Sequence, residues 1–286
     1  MRPEDVVTAE RLSAEAFREV DRRSLRPGDA EPSLRSPERA AGWVSRTEHL
    51  LRTDPGGCWV AEDADGSLAG FATSFVRDTT WFLATYAVRP GLQGQGLGRQ
   101  LLDAAMGHGR HCLHGMLSAS SDPAATRRYL LAGFRLHPQM YLTGTLDRSV
   151  LPVVEHVREG TPADTDLMDS VDRRARGAAH GPDHALMQSI WRPLVSERGT
   201  GQGYAYVGHD GSLALLAATD RRTATRLLWA VLADGPAEPT VPHLTAANPW
   251  ALDVGVQARL DVRTEGYLAL RGMRPPAPYV HNGALL

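Results

Sequence analysis

One strand–loop–helix passage constrains this chain more than any other: Val88-Arg89-Pro90-Gly91-Leu92-Gln93-Gly94-Gln95-Gly96-Leu97-Gly98-Arg99-Gln100-Leu101-Leu102. An apolar strand ends at Val88, glycines stand at 91, 94, 96 and 98, and a helix opens toward the apolar pair Leu101 and Leu102. Glycine admits the positive φ angles and close backbone approach that a cradle needs. The first turn of a helix leaves amide N–H groups without intrahelical partners, at the positive end of its dipole. Together these features predict a site for an anion, foremost a phosphate or pyrophosphate.

Three phosphate loops can be compared with it. The nucleoside-triphosphate loop needs a Lys after its last Gly, and all 31 basic side chains here are Arg, which excludes it. The dinucleotide fingerprint needs a third Gly where this chain has Arg99, and an early βαβ unit. The third pattern, Q/R-x-x-G-x-G/A, is matched by Gln93, Gly96 and Gly98 and preceded by Val88 and Pro90. This passage resembles the acyl-CoA loop of the GCN5-related N-acetyltransferases, the GNAT family.

The pattern along the first half agrees. Leu12, Ala16, Phe17 and Val20 share a helical face. Ser36-Pro37 reads as an N-cap and first helical residue, opening a second helix that ends at Asp54-Pro55-Gly56-Gly57. Strands are expected over 58–62, 67–76 and 80–88, the first two joined at Asp65-Gly66. After the glycine loop come a helix over 99–111, a strand over 115–120, a helix opening at Asp122-Pro123 and closed by Gly133, and a strand over 134–142. Within it, Ala125-x-x-x-Tyr129-x-x-x-Gly133-Phe134 resembles a second GNAT motif, which often carries Asn where Asp122 stands. The resemblance covers roughly residues 5–145. It implies an α/β (α+β) fold with a mixed sheet, flanked by helices and splayed after its fourth strand, where acyl-CoA enters.

The second half reads as another copy. A strand is expected over 153–157, a helix start at Thr161-Pro162-Ala163-Asp164, and a loop over 176–184. The pentapeptide Asp-Gly-Ser-Leu-Ala at Asp65 recurs at Asp210 in a similar strand–turn–strand setting, which suggests duplication. Carrying that spacing forward places the acyl-CoA loop on Glu238–His243, with two prolines and no glycine, and Tyr129 on Arg274. The expectation is two tandem GNAT-like domains, 1–147 catalytic and 148–286 degenerate. The degenerate domain would shape the acceptor pocket or an interface. The apolar tail 278–286 is expected to dock on the protein.

What the resemblance implies for chemistry is direct attack of an amine on the thioester of acetyl-CoA. The backbone of Gln93, Gly94, Gln95, Gly96, Leu97 and Gly98, with Arg99 beside it, would hold the pyrophosphate. Ala87 and Val88 would meet the thioester and pantetheine arm, and Asp122 would take the place of the family's Asn. Tyr129 would protonate the departing thiolate. Many members carry a Glu as general base where this chain has Ala84. Elsewhere Glu62, Asp78, His137, His180, Asp183 and His281 are candidates, and a water relay or an already neutral amine are the other solutions. His180, Asp183 and His184 have a loose metal-ligand look. A Pro- and Gly-containing loop explains them better, so no metal is expected.

Composition bounds the rest. At 286 residues two domains are expected. A net charge of −2 gives no electrostatic case for nucleic acid or an anionic membrane. Two cysteines, Cys58 and Cys112, do not make a disulfide scaffold. No apolar run has spanning length and the first ten residues are polar, so a cytoplasmic protein is expected. The expected acceptor is a small-molecule amine such as an antibiotic or secondary metabolite, with a protein N-terminus or lysine as the alternative. A succinyl or malonyl donor, a non-catalytic acyl-CoA sensor and a homodimer stay open.

Overall fold

The computed structural model describes residues 1–25, 28 and 30–286. Its elements run in order α1 (Val6–Arg23), α2 (Pro37–Thr53), β1 (Cys58–Glu62), β2 (Leu68–Arg77), β3 (Thr80–Val88), α3 (Leu97–His108), β4 (His114–Ala119), α4 (Pro123–Leu131) and β5 (Arg135–Thr143). They continue with β6 (Arg158–Glu159), α5 (Thr165–Arg176), α6 (Asp183–Ile190), β7 (Arg192–Arg198), β8 (Gly201–Val207), β9 (Leu213–Ala218), α7 (Arg221–Asp234), β10 (Val241–Thr245), α8 (Pro249–Gln257), β11 (Asp261–Arg271) and β12 (Tyr279–Val280). The chain forms two compact units: Met1–Val76 with Trp81–Leu113, and Arg77–Thr80 with His114–Leu286.

In the first unit, Ser36 Oγ accepts from the Arg39 amide and Pro37 occupies the first turn of α2. This is the start its sequence dictates. Val6, Ala9, Leu12 and Ala16 of α1 pack with Trp43 of α2 against Leu68, Phe71 and Ala87 of the strands. Phe17 does not join this face and is 40% exposed. The edge of Trp43 meets the Phe71 ring at 5.6 Å. β1 pairs antiparallel with β2, and β2 neighbours β3.

The second unit holds two sheets, one with strand order β4-β11-β5-β10 and one with order β12-β9-β8-β7-β6. Asp220 caps α7, whose Leu227, Leu228, Val231 and Leu232 fill the core with β8 and β9. The expected strand at 153–157 is absent: those residues are irregular, and His156 sits at φ 61° just before β6. The tail docks as expected, with β12 on β9 and Leu285 and Leu286 fully buried.

The element order α-α-β-β-β-α-β-α-β occurs twice, and the spacing between copies is not that of the pentapeptide. Gly133 (φ 87°) and Arg259 (φ 61°) end α4 and α8 in the same left-handed conformation, and β5 and β11 begin at 135 and 261. The copies are therefore 126 residues apart here. The pentapeptides share turn chemistry, not position. Asp65 Oδ1 accepts from the Ser67 amide and Asp210 Oδ1 from that of Ser212, with Gly66 and Gly211 both left-handed. One turn joins β1 to β2, whereas the other joins β8 to β9.

The later strands of the copies interlock. β11 lies between β4 and β5, antiparallel to both, and β5 in turn lies between β11 and β10. Gln139 faces Glu265, its own counterpart 126 residues on, so a pseudo-two-fold axis passes through that pair. Gly266 makes the close crossing feasible, because a Cβ there would sit 1.9 Å from the Ala119 carbonyl oxygen.

The Arg77–Thr80 tip of the β2–β3 hairpin belongs to the second unit through polar contacts. Arg77 clasps the buried Asp183 carboxylate with two bonds of 2.8 and 2.5 Å. Asp78 accepts from the Ala179 amide and from Arg173.

Two outcomes follow. A fragment ending at residue 147 lacks the strand that separates β4 from β5, so it should show no cooperative thermal transition by circular dichroism. Asp183→Ala strands a buried guanidinium and should lower the stability of the full chain by about 3–5 kcal/mol in urea unfolding.

Candidate functional site

The glycine loop of the first unit is built as its sequence requires. Gly91, Gly94 and Gly96 have φ of 89°, 83° and 90°, with open space where a Cβ would be. Gly96 is the N-cap of α3 and offers no side chain to cap it. Among the described residues, the amides of Gly94, Gln95, Gly96, Leu97 and Gly98 have no protein acceptor, whereas the next two, of Arg99 and Gln100, bond to the Gly96 carbonyl. Five amide donors thus cluster at the positive end of a twelve-residue helix, an arrangement that attracts an anion.

Each glycine has its own reason. Gly94 and Gly96 are fixed by backbone conformation. Gly98 is fixed by packing, because its Cβ would lie 2.2 Å from the Tyr86 hydroxyl. Gln93 points back into the fold, donating through Nε2 to the Val88 carbonyl at 3.3 Å. Ala87 and Val88 are buried at the end of β3. Arg99 is well exposed and 3.5 Å from Asp103. The sequence reading missed Arg23, whose guanidinium reaches Gln93 Oε1 at 3.5 Å from the end of α1. Nothing local in its sequence marks it.

Asp122 and Tyr129 lie in the second unit. Asp122 caps α4, its Oδ1 accepting from the Ala125 amide at 2.8 Å. Tyr129 is 5% exposed, and its carbonyl accepts from the Phe134 amide, the closing bond that follows left-handed Gly133.

The candidate bases separate by environment. Asp78 and Asp183 are engaged by arginines. His180 is sealed between Asp172 and the Leu285 carbonyl. His281 is buried beside Gln139, with its ring stacked on His243 at 4.6 Å, and burial pushes its pKa well down. Glu62 is exposed, at the rim of a shallow groove with Asp63, Leu92 and Gln95. His137 on β5 is part-exposed, and burial followed by the nearby Arg135 lowers its pKa.

The second copy lacks each part of this site. Its counterpart of the glycine loop is the two-residue link Thr219-Asp220 between β9 and α7, not Glu238–His243, which runs into β10. The Asp220 carboxylate accepts from the Thr223 amide at 3.0 Å, filling with a side chain the place that the first copy leaves open. The position of Tyr129 falls on Gly255, not Arg274, and a Cβ at Gly255 would lie 2.4 Å from Leu142 Cδ1. β9 and β10 stand in different sheets, and the chain's own β12 pairs with β9 beside that opening.

A second polar constellation lies under α5 and α6. Asp172, His180 and His184 are all buried and each bring one ligand-type atom within 4.8 Å of the others. The spacing His180-x-x-x-His184 was visible in sequence. Asp172, a turn earlier on α5, was not, and Asp183 is diverted to Arg77.

An open amide cradle between a strand and a helix of an α/β fold is an arrangement suited to an anion. Residues 15–134 match the model of the Acetyltransferase (GNAT) family, whose members typically use acetyl-CoA. Among solved structures, a protein from Pyrococcus horikoshii superposes with TM-score 0.74 at 19% identity, over 100% of this chain and 93% of that one. A GCN5-related N-acetyltransferase from Sphaerobacter thermophilus gives 0.57 at 19% identity, over 99% and 97%. A tandem GNAT protein from the clavulanic acid biosynthesis pathway gives 0.57 at 15% identity, over 93% and 94%. These likenesses establish the tandem GNAT fold. No curated protein matches the chain. No described helix is long and apolar enough to cross a membrane.

Gly96→Val forces a branched side chain into a left-handed conformation at the mouth of the cradle. It should weaken acetyl-CoA binding about tenfold or more, measured by calorimetry, with little change in far-UV circular dichroism.

Proposed function

We propose that the protein transfers the acetyl group of acetyl-CoA to an amine of a small molecule by direct attack. The first copy, 1–147, is the catalytic domain and the second, 148–286, a degenerate one. The observation that carries this reading is the set of five open amides at Gly94–Gly98 within a segment of GNAT sequence. In this reading they hold the pyrophosphate, with Arg99 and Arg23 at the rim, and Ala87 and Val88 lie along the pantetheine arm. Asp122 supports the site as the cap of α4. A donor near the thioester carbonyl stabilises the charge that develops on it, and Tyr129 returns a proton to the leaving thiolate. The transfer itself uses no metal.

Ala84 leaves β3 without a carboxylate. The accessible candidates for the base are Glu62 and His137, with delivery through water or as a neutral amine as the other routes. A secondary metabolite fits as acceptor, in keeping with the pathway named for one structural relative. A protein N-terminus or lysine is the alternative. Net charge gives no support for nucleic acid or membrane as partner. The protein is read as cytoplasmic, and a homodimer is compatible with the degenerate copy as an interface.

The missing strand carboxylate favours one second reading, a non-catalytic acyl-CoA sensor. Calorimetric titration with acetyl-CoA, followed by a screen of amines for CoA release, separates the two. Binding at one site per chain with acceptor-dependent release supports the transferase, whereas binding without release under any amine supports the sensor. No binding defeats both. Tyr129→Phe should lower kcat by about 10²–10⁴ with nearly unchanged cofactor affinity; full activity would remove Tyr129 as the acid.

A further inference from the structure

The cluster under α5 and α6 contains a conflict of lone pairs. Two donor atoms come from α5, one turn apart: Asp169 and Asp172. The helix ends at left-handed Gly177, and the chain turns back so that His180 and His184 face them. His180 Nδ1 lies 2.7 Å from Asp172 Oδ2. His184 Nε2 lies 3.3 Å from the same oxygen and 3.2 Å from Asp169 Oδ1.

The opposite atom of each ring decides where its hydrogen is. His180 Nε2 sits 2.9 Å from the Leu285 carbonyl oxygen, which can only accept, so Nε2 carries the hydrogen. His184 Nδ1 lies 2.9 Å from the Tyr206 hydroxyl, whose own hydrogen is directed at Met168 Sδ. With that hydrogen on the sulfur, Nδ1 is the donor. A neutral imidazole has one donor and one acceptor, so His180 Nδ1 and His184 Nε2 both present lone pairs to carboxylate oxygens. His184 Nε2 is buried and makes no hydrogen bond with either carboxylate.

A cation among these atoms would resolve the conflict. Imidazolium is the proton solution to this conflict, and a bound metal ion is the other. Arg77 neutralises Asp183, and Arg176 is bound to the carbonyls of Ala178, Ala179 and Leu286.

We infer that Asp172, His180 and His184 form a site for one divalent transition-metal ion of the zinc class. Metal–ligand bonds of about 2.0–2.1 Å at tetrahedral angles put neighbouring donors roughly 3.3 Å apart. The 3.3 Å separation of His184 Nε2 from Asp172 Oδ2 already fits. The 2.7 Å pair has to open by about half an ångström.

Every ligand is also oriented from behind, as metal ligands are. His180 is held by the Leu285 carbonyl and His184 by Tyr206. Asp172 Oδ1 is held by the Tyr204 hydroxyl at 2.5 Å. Two imidazoles with a carboxylate select zinc, cobalt or nickel over calcium or magnesium. Burial of the two imidazoles and Asp172 makes the site structural. The ion would pin α5, the turn after it and α6 to β8.

The test uses the full chain, stripped with chelator and titrated with Co²⁺ under visible absorption, with Zn²⁺ competition and metal analysis of the zinc-loaded protein. The expected result is a tetrahedral cobalt spectrum that saturates at one equivalent and is erased by Zn²⁺. One tightly held zinc per chain and a thermal midpoint several degrees higher with metal than without are also expected. His184→Gln should abolish the cobalt spectrum. The titration of the unaltered chain decides the matter should that variant fail to fold. A chain that takes up no Co²⁺ or Zn²⁺ and melts identically with and without chelator overturns the site and leaves a protonated His180 as the cation.

Discussion

Exchange of β5 and β11 is the constraint on which the rest of the second unit depends. Each of these strands hydrogen-bonds on both sides, and each supplies the other copy with the partner its neighbouring strand needs. An unpaired edge leaves a row of amides and carbonyls unsatisfied, so neither β4 and β5 nor β10 and β11 make a closed sheet within one copy. The close crossing at Gly266 and the facing pair Gln139 and Glu265 mark where this mutual completion is tightest. Duplication of the fold therefore did not produce two independent modules, because residues 114–143 fold with the later half of the chain.

Within that shared frame, two helix starts diverged in electrostatics. α3 begins at a left-handed glycine after an eight-residue loop from β3 and leaves its amides open. α7 begins two residues after β9 and is closed by the Asp220 carboxylate. The same positive dipole end is left open in one and closed by an internal side chain in the other. Gly255 and the pairing of β12 with β9 complete the loss in the second copy. There the chain has filled with its own atoms the positions that the first copy leaves open.

The second copy also holds a buried polar interior. Asp172, His180, His184, Tyr204 and Tyr206 are buried together, and the tail closes over them through Leu285. Groups of this kind are costly to bury unless every one has a partner. Their hydrogen-bond arithmetic balances for all but the two imidazole nitrogens that face carboxylates. That residue of unbalanced charge is what distinguishes the cluster from an ordinary buried network.

The sequence by itself determined what is local. Ser36-Pro37 fixed the start of α2, Asp122 and Gly133 the two ends of α4, and Gly94 and Gly96 the backbone of the cradle, because caps and positive φ are decided within a few residues. It also made the tandem GNAT order legible, since hydrophobic period and turn chemistry recur along the chain. It misled where likeness of a turn stood in for position: Asp65-Gly66 and Asp210-Gly211 solve the same local problem at different places in the fold. Only the tertiary structure decided the strand exchange, the true 126-residue spacing, the closure of α7 by Asp220 and the meeting of Asp172 with His180 and His184. Those depend on which distant segments are pressed together in the core, and no spacing along a chain encodes a contact made across a sheet.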